Sequence, residues 1–219
     1  HDSAKSGSIK AAPHRARRYL GAVSGGSKRQ DMLYVLPAVS VSFQKQSANT
    51  VITSGNNTYQ FTGATFDIFE SASGAPVGTV QMDSNGRAQA ALLPNTAYYL
   101  VETKAPAGYV PRRDRIAFTT GNDGGQVAID EQPGTISLCI VKLDAATNAG
   151  PQVGSSLAGA EFTCVSQSTP GWAQILTTDE SGRATLTDVP LGTFTIYESK
   201  APEGYLPSND SWSYTVRAD

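Results

Sequence analysis

Along most of the chain apolar and other side chains alternate, the period of a β-strand with one buried face. Val41 and Phe43 lead to Lys45 on one such face, and Tyr98 and Leu100 lead to Glu102 on another. Ala64, Phe66 and Ile68 share a third. Further along, Ile136, Leu138 and Ile140 lead to Lys142, Ala160 and Phe162 to Cys164, and Phe194 and Ile196 to Glu198. "RIAFTT", "QVAID" and "WSYTV" add shorter strands, and "GNDGG" separates two of them. Asn85-Gly86 is a hairpin signal, because both residues tolerate the left-handed backbone of a tight turn. The pattern predicts an all-β protein of short strands and many turns, in keeping with 21 Gly and 12 Pro.

The pattern occurs twice. Gly63-Ala64-Thr65-Phe66 returns as Gly159-Ala160-Glu161-Phe162, and Asp83, Gly86, Arg87 and Ala88 return as Asp179, Gly182, Arg183 and Ala184. "ETKAPAGY" ending at Tyr109 returns as "ESKAPEGY" ending at Tyr205, and every one of these matches has the same offset of 96 residues. A period of that size is a domain rather than a solenoid repeat. Two tandem domains of about seven strands are expected, residues 37–133 and 134–219, each an immunoglobulin-like or prealbumin-like β-sandwich. Pro133-Gly134 is the natural joint. The counterpart of Gln126 to Asp130 is missing from the second copy, so that domain is expected to lack its last strand. Residues 1–36 carry Lys5, Lys10, Arg15, Arg17, Arg18, Lys28 and Arg29 among Gly and Ser. They read as a solvated linker or the end of a preceding domain, with a polyanion-binding arm or a strand lent to the second domain as sharper alternatives.

Composition narrows the function. With 17 Lys and Arg against 19 Asp and Glu, the chain as a whole has no electrostatic pull toward nucleic acid or a membrane surface. No apolar run is long enough to cross a bilayer, and no secretory signal or LPxTG-like sorting motif is visible. His1 and His14, the only two histidines, lie outside both domains, which argues against a Ser-His-Asp or Cys-His site. Two cysteines are too few for a disulfide framework or a zinc site. Cys164 takes the place of core-facing Ile68, whereas Cys139 lies on the face opposite Lys142, so free thiols are favoured over a bridge. No cofactor or metal is expected, and no enzymatic turnover beyond a single reaction of the chain on itself.

The anomaly is a lysine and a glutamate at the end of otherwise apolar faces. Lys45 pairs with Glu102 and Lys142 with Glu198, at separations of 57 and 56 residues. Such residues are rarely fully buried unless paired. Three readings are open: long side chains snorkelling at strand ends, a buried ion pair of little net stabilisation, or a covalent site. In the covalent case an amine kept from water more readily loses its charge and becomes a nucleophile. A carboxylic acid in the same pocket polarises the carbonyl of a neighbouring Asp or Asn side chain. Contact distance supplies much of the rate, and the product is an isopeptide bond between two strands.

The "GATF" and "GAEF" phrases, the first-strand lysines and the "KAPxGY" glutamate phrases resemble the Cna B-type domains of Gram-positive surface adhesins and pilin subunits, with the glutamates in the place of the pilin E-box. The resemblance spans about residues 38–219. It implies Lys45 and Lys142 as amines, Glu102 and Glu198 as assisting acids, and an acceptor in the last strand before a Pro-containing linker. Asp130 of "VAIDEQPG" holds that place in the first domain. It alternates with Gln126 and Ala128, whereas Glu131 alternates with Val127 and Ile129. No acceptor for Lys142 is expected within the chain. The implied function is a structural stalk on the cell wall or in a pilus, partnered by other subunits of the same assembly. The alternative is a module that binds a host matrix protein or glycan without cross-links.

Overall fold

A computed structural model describes residues 37–217; the basic segment 1–36 lies outside the described residues. The first domain contains β1 (Val39–Ser47), a single helical turn α1 (Thr50–Thr53), β2 (Thr65–Glu70), β3 (Pro76–Gln81), β4 (Arg87–Leu92), β5 (Ala97–Lys104), β6 (Ile116–Thr119) and β7 (Gly125–Glu131). Strands β4-β1-β7 form one sheet and β3-β2-β5-β6 the other. Strand β1 runs antiparallel to β4 and parallel to β7. The inner faces meet in a core of Val41, Phe43, Phe66, Ile68, Leu100, Val127 and Ile129, each 9% exposed or less. Fully burying each such side chain contributes about 1.5–3 kcal/mol, and the alternation seen in the sequence is what aims them all inward.

The second domain contains β8 (Thr135–Val141), β9 (Glu161–Ser166), β10 (Ala173–Thr177), β11 (Arg183–Pro190), β12 (Gly192–Lys200) and β13 (Ser211–Val216). Its sheets are β11-β8 and β10-β9-β12-β13. Among the described residues no strand lies beside β8 on the side that β7 occupies beside β1. Cys164 is buried and Cys139 exposed, and both are free.

The Asn85-Gly86 turn is real, with Asp83 Oδ1 accepting from the amides of Asn85 and Arg87 at 2.8 Å each. It does not close a hairpin, however. Strands β3 and β4 belong to different sheets, so the turn carries the chain across the sandwich. Gly86 (φ 72°) and its equivalent Gly182 (φ 74°) occupy the left-handed region. Their carbonyls accept from the backbone N–H of Lys45 at 2.7 Å and of Lys142 at 2.8 Å, so each turn is tied to its lysine.

The segment around α1 joins the domains. Asn49 caps the turn by accepting from the Val51 amide at 3.2 Å. Ile52, 4% exposed, packs into the core of the second domain with Trp172, Val189 and Phe194. Buried Asn56 donates from Nδ2 to Thr169 Oγ1 at 2.9 Å and to the Leu191 carbonyl at 2.8 Å. Thr169 Oγ1 in turn donates to the Ile52 carbonyl at 2.9 Å. The Tyr59 hydroxyl donates to the Gly134 carbonyl and accepts from the Leu191 amide, both at 2.8 Å. Every buried polar group named here has a partner across the boundary, which is what makes such a joint stabilising rather than costly.

Candidate functional site

Strand β1 delivers Lys45 to the inside of the first sandwich because it follows Val41 and Phe43 on the same face. The side chain is completely buried. Its Nζ lies 2.6 Å from Glu102 Oε1, 3.1 Å from Glu131 Oε1 and 4.4 Å from the centre of the Phe66 ring. Glu102 comes from β5, where it follows Tyr98 and Leu100. Its second oxygen accepts from the backbone amide of Arg112 at 2.7 Å. Glu131, at the end of β7, is 1% exposed.

Here the structure corrects the sequence reading. Asp130 is exposed, on the outer face of β7, and its Oδ1 accepts from Gln46 Nε2 at 2.6 Å. In the parallel register, Lys45 pairs with Ile129 and Gln46 with Asp130. The pleat therefore turns Asp130 away from Lys45 and brings Glu131 inward with Val127 and Ile129. The signal was that alternation; the position taken from the family pattern pointed one residue too early. Arg112 is the other residue the sequence reading missed. Its Nε lies 3.5 Å from Glu131 Oε1, and its guanidinium also donates to the Asp130 carbonyl and to Asp114 Oδ2.

The electrostatics are uneven. Burial pushes the Glu131 carboxyl above its ordinary range; the Lys45 charge opposes this, and the neighbouring Glu102 adds to it. Glu131 Oε1 touches Lys45 Nζ at ion-pair distance, yet the angle makes no hydrogen bond. A carboxyl so placed is in contact with the amine without being committed as an acceptor.

The second domain repeats half of this centre. Lys142 Nζ lies 2.7 Å from Glu198 Oε1 and 5.8 Å from the centre of the Phe162 ring. Glu198 Oε2 accepts from the Ser208 amide at 2.8 Å, as Glu102 does from Arg112. The Glu198 side chain is fully buried and that of Lys142 is 11% exposed. No last-strand carboxyl reaches Lys142 among the described residues. Those residues also include no helix long and apolar enough to cross a membrane, and no His, Cys, Asp and Glu cluster arranged to hold a metal.

The family model described as the SpaA prealbumin-like fold domain matches residues 46–133 and again 138–219. No curated protein matches the chain. Among solved structures, the chain is similar to the Bacillus anthracis TIE protein at 24% identity and a TM-score of 0.58, over 83% of this chain and 32% of that one. It therefore spans about a third of that protein's length. A Streptococcal ancillary pilin matches at 19% identity over 83% of this chain and 59% of that one, with a TM-score of 0.36. The C-terminal fragment of the pilus adhesin SpaC from Lactobacillus rhamnosus GG matches at 19% identity over 82% of each chain, with a TM-score of 0.45.

Proposed function

The chain belongs to the SpaA prealbumin-like fold domain family, and from that premise we propose that it is a length of structural stalk in a Gram-positive surface adhesin or pilin subunit, stiffened by an amide between Lys45 and Glu131. The observation that carries this reading is a lysine with no solvent exposure in contact with two buried carboxyls, one of them on the last strand of its domain.

The chemistry follows from the contacts. Lys45 passes a proton to Glu102 across their 2.6 Å contact and becomes a neutral amine. Its Nζ attacks Cδ of protonated Glu131, and Glu102 gives its proton to the departing hydroxyl and takes up the proton that Nζ sheds. The Nζ–Cδ bond forms, one Cδ–O bond of Glu131 breaks, and water leaves. Reacting groups held at about 3–3.5 Å need no further search for one another, and the 3.1 Å approach of Glu131 Oε1 to the amine falls in that range. An acid whose pKa is raised by burial is easier to keep protonated, and a protonated carboxyl is the better electrophile.

Strands β1 and β7 are the first and last of the domain and lie side by side. An amide between them ties the two ends of the domain together, so tension on the chain bypasses the hydrogen-bonded sheets. The outer side of a cell wall or a pilus is where such a part serves, and its partners are neighbouring domains and subunits of the same assembly. In the second domain Lys142 and Glu198 are the corresponding amine and acid.

Intact-mass measurement tests the reading. The expected mass is one water below that calculated from the sequence, with a Lys45–Glu131 linkage in the digest. Lys45→Arg and Glu131→Ala restore the full mass, whereas Asp130→Ala does not. An unreacted mass for the parent chain removes the cross-link and leaves an ion-paired stalk.

A further inference from the structure

The loop after the inward glutamate is built alike in both domains. Arg112, between β5 and β6, and Ser208, between β12 and β13, stand 96 residues apart. Each gives its backbone amide to the glutamate, Arg112 to Glu102 at 2.7 Å and Ser208 to Glu198 at 2.8 Å. Each also donates from its side chain to the aspartate two residues on, Arg112 to Asp114 at 2.8 Å and Ser208 to Asp210 at 3.2 Å. The second domain lacks only the guanidinium, and Lys142 still meets Glu198 at 2.7 Å. The charge of Arg112 is therefore not what assembles the amine and the acid.

That charge is spent on Glu131. Arg112 Nε lies 3.5 Å from Glu131 Oε1, and both atoms are buried without a hydrogen-bond partner. The two terminal nitrogens are already engaged, one by Asp114 and the other by the Asp130 carbonyl, next to Glu131 in the chain. Two such anchors fix the plane of the guanidinium fork and leave the Nε–H uncommitted beside the carboxyl. A buried donor without an acceptor costs stability, so its place is explained by a state in which it is used.

We propose that Arg112 stabilises the oxyanion that forms on Glu131, its Nε–H closing on Oε1 once Lys45 Nζ has added to Cδ. This role rests on the cross-linking reading above. As the Nζ–Cδ bond forms, one electron pair of the carbonyl double bond moves onto Oε1, which takes up negative charge beside the guanidinium. The pair returns as the other oxygen leaves as water with the proton from Glu102, and Oε1 remains as the amide carbonyl oxygen. A donor set where charge develops favours the transition state, and such contacts are often long before reaction and tighten in its course. Asp114 and the Asp130 carbonyl position the fork for this contact.

The test uses the full chain made by chemical ligation and purified unfolded, so that no amide precedes folding. It is refolded by dilution at a series of pH values, and loss of one water is followed by intact mass. Arg112→Ala is expected to slow that loss at least roughly tenfold on the plateau of the pH profile. The profile separates a lost charge from a loosened fold. Glu131 is faced by Lys45 from β1, Glu102 from β5, Arg112 from the β5–β6 loop and the Tyr109 hydroxyl. Burial raises the Glu131 pKa, and Arg112 is among the charges that pull it back. Without Arg112 the alkaline limb is expected to move to higher pH although the plateau falls, whereas a site opened to water would move the limb to lower pH. Arg112→Lys keeps a cation and is expected to hold the limb near its place while recovering part of the rate. Exposed Arg113→Ala is expected to match the parent.

A parent that never loses water overturns the cross-link and this role together. A parent that does, beside an Arg112→Ala chain that keeps pace or an alkaline limb that moves to lower pH, overturns the role and leaves the cross-link standing. Equal slowing by Arg113→Ala does the same, because the effect would be one of net charge. Where the alanine chain does not fold, the lysine chain decides, and its reaching the parent's full rate overturns the role.

Discussion

Lys45 and Lys142 occupy the same place in two copies of one sandwich, and their surroundings differ by a single strand. With β7 present, the first lysine has no solvent exposure and touches two carboxyls; without a counterpart, the second keeps some exposure and touches one. The lysine and its glutamate are therefore positioned by β1 and β5, or by β8 and β12, independently of the last strand. The last strand adds dryness and the third group. The lysine–glutamate contact thus forms in both domains, and in the first the last strand adds a second carboxyl to it.

The largest effect that can sharpen this contrast is removal of each lysine. Lys45→Ala leaves Glu102 and Glu131 buried without their cation and is expected to cost about 3–5 kcal/mol, besides abolishing any amide. Lys142→Ala is expected to cost less, because solvent already reaches that centre. Urea unfolding followed by hydrogen exchange in each domain checks this; an equal loss would mean that β7 contributes no dryness.

Next in size is Ile52→Ala. It is expected to cost about 2–4 kcal/mol, with protection lost mainly in the second domain although the residue lies in the first. Asn56→Ala removes the donor to Thr169 and Leu191 and is expected to cost about 1–3 kcal/mol, again read in exchange across β12. A second domain indifferent to both substitutions would make the joint mere contact.

The smallest effect is the response to pH, which should differ in sign between the domains. Where the amide has not formed, Glu131 has a folded pKa raised chiefly by burial. Its folded state holds more protons than its unfolded state, so its contribution is full below the ordinary glutamate range and is lost as pH rises through the raised value. Asp144 in the second domain is held below its usual range by hydrogen bonds, first from Gln152 and then from the Thr147 and Ala146 amides. Its contribution is present above the ordinary aspartate range and is lost as pH falls through the lowered value. Domain-resolved exchange at mildly and strongly acidic pH is expected to show these opposite trends, and the first should vanish in the cross-linked protein.

Much of this was legible in the chain. Alternation gave the inward faces of β1, β2, β5, β9 and β12, and the 96-residue offset gave two domains, because a period of two and an internal repeat are local or self-referential signals. Lys45, Glu102, Lys142 and Glu198 stood out for the same reason, as charges on faces that should be apolar. The last-strand carboxyl that faces Lys45 did not, because a place in a family pattern was set above the pleat: Glu131 shares the face of Ile129, and Asp130 does not. The Asn85-Gly86 turn was readable as a turn, but sheet membership depends on partners far away in sequence. The α1 joint was least legible. "NTVITSGNN" has one large buried residue, Ile52, whose partners begin more than a hundred positions later.

The insertion of Ile52 makes failure along the tandem directional. If the first sandwich opens, it withdraws a hydrophobic plug and two hydrogen-bond donors from the base of its neighbour, which then unravels more easily. Opening the second takes Leu191 away from Tyr59 and Tyr109 at the joint, yet removes no side chain from the first domain's main core. Damage should spread from the N-terminal unit toward the C-terminal one more readily than in reverse, a one-way nearest-neighbour coupling. The buried contact of Lys45 with Glu131 lies in the unit whose loss would bring down both.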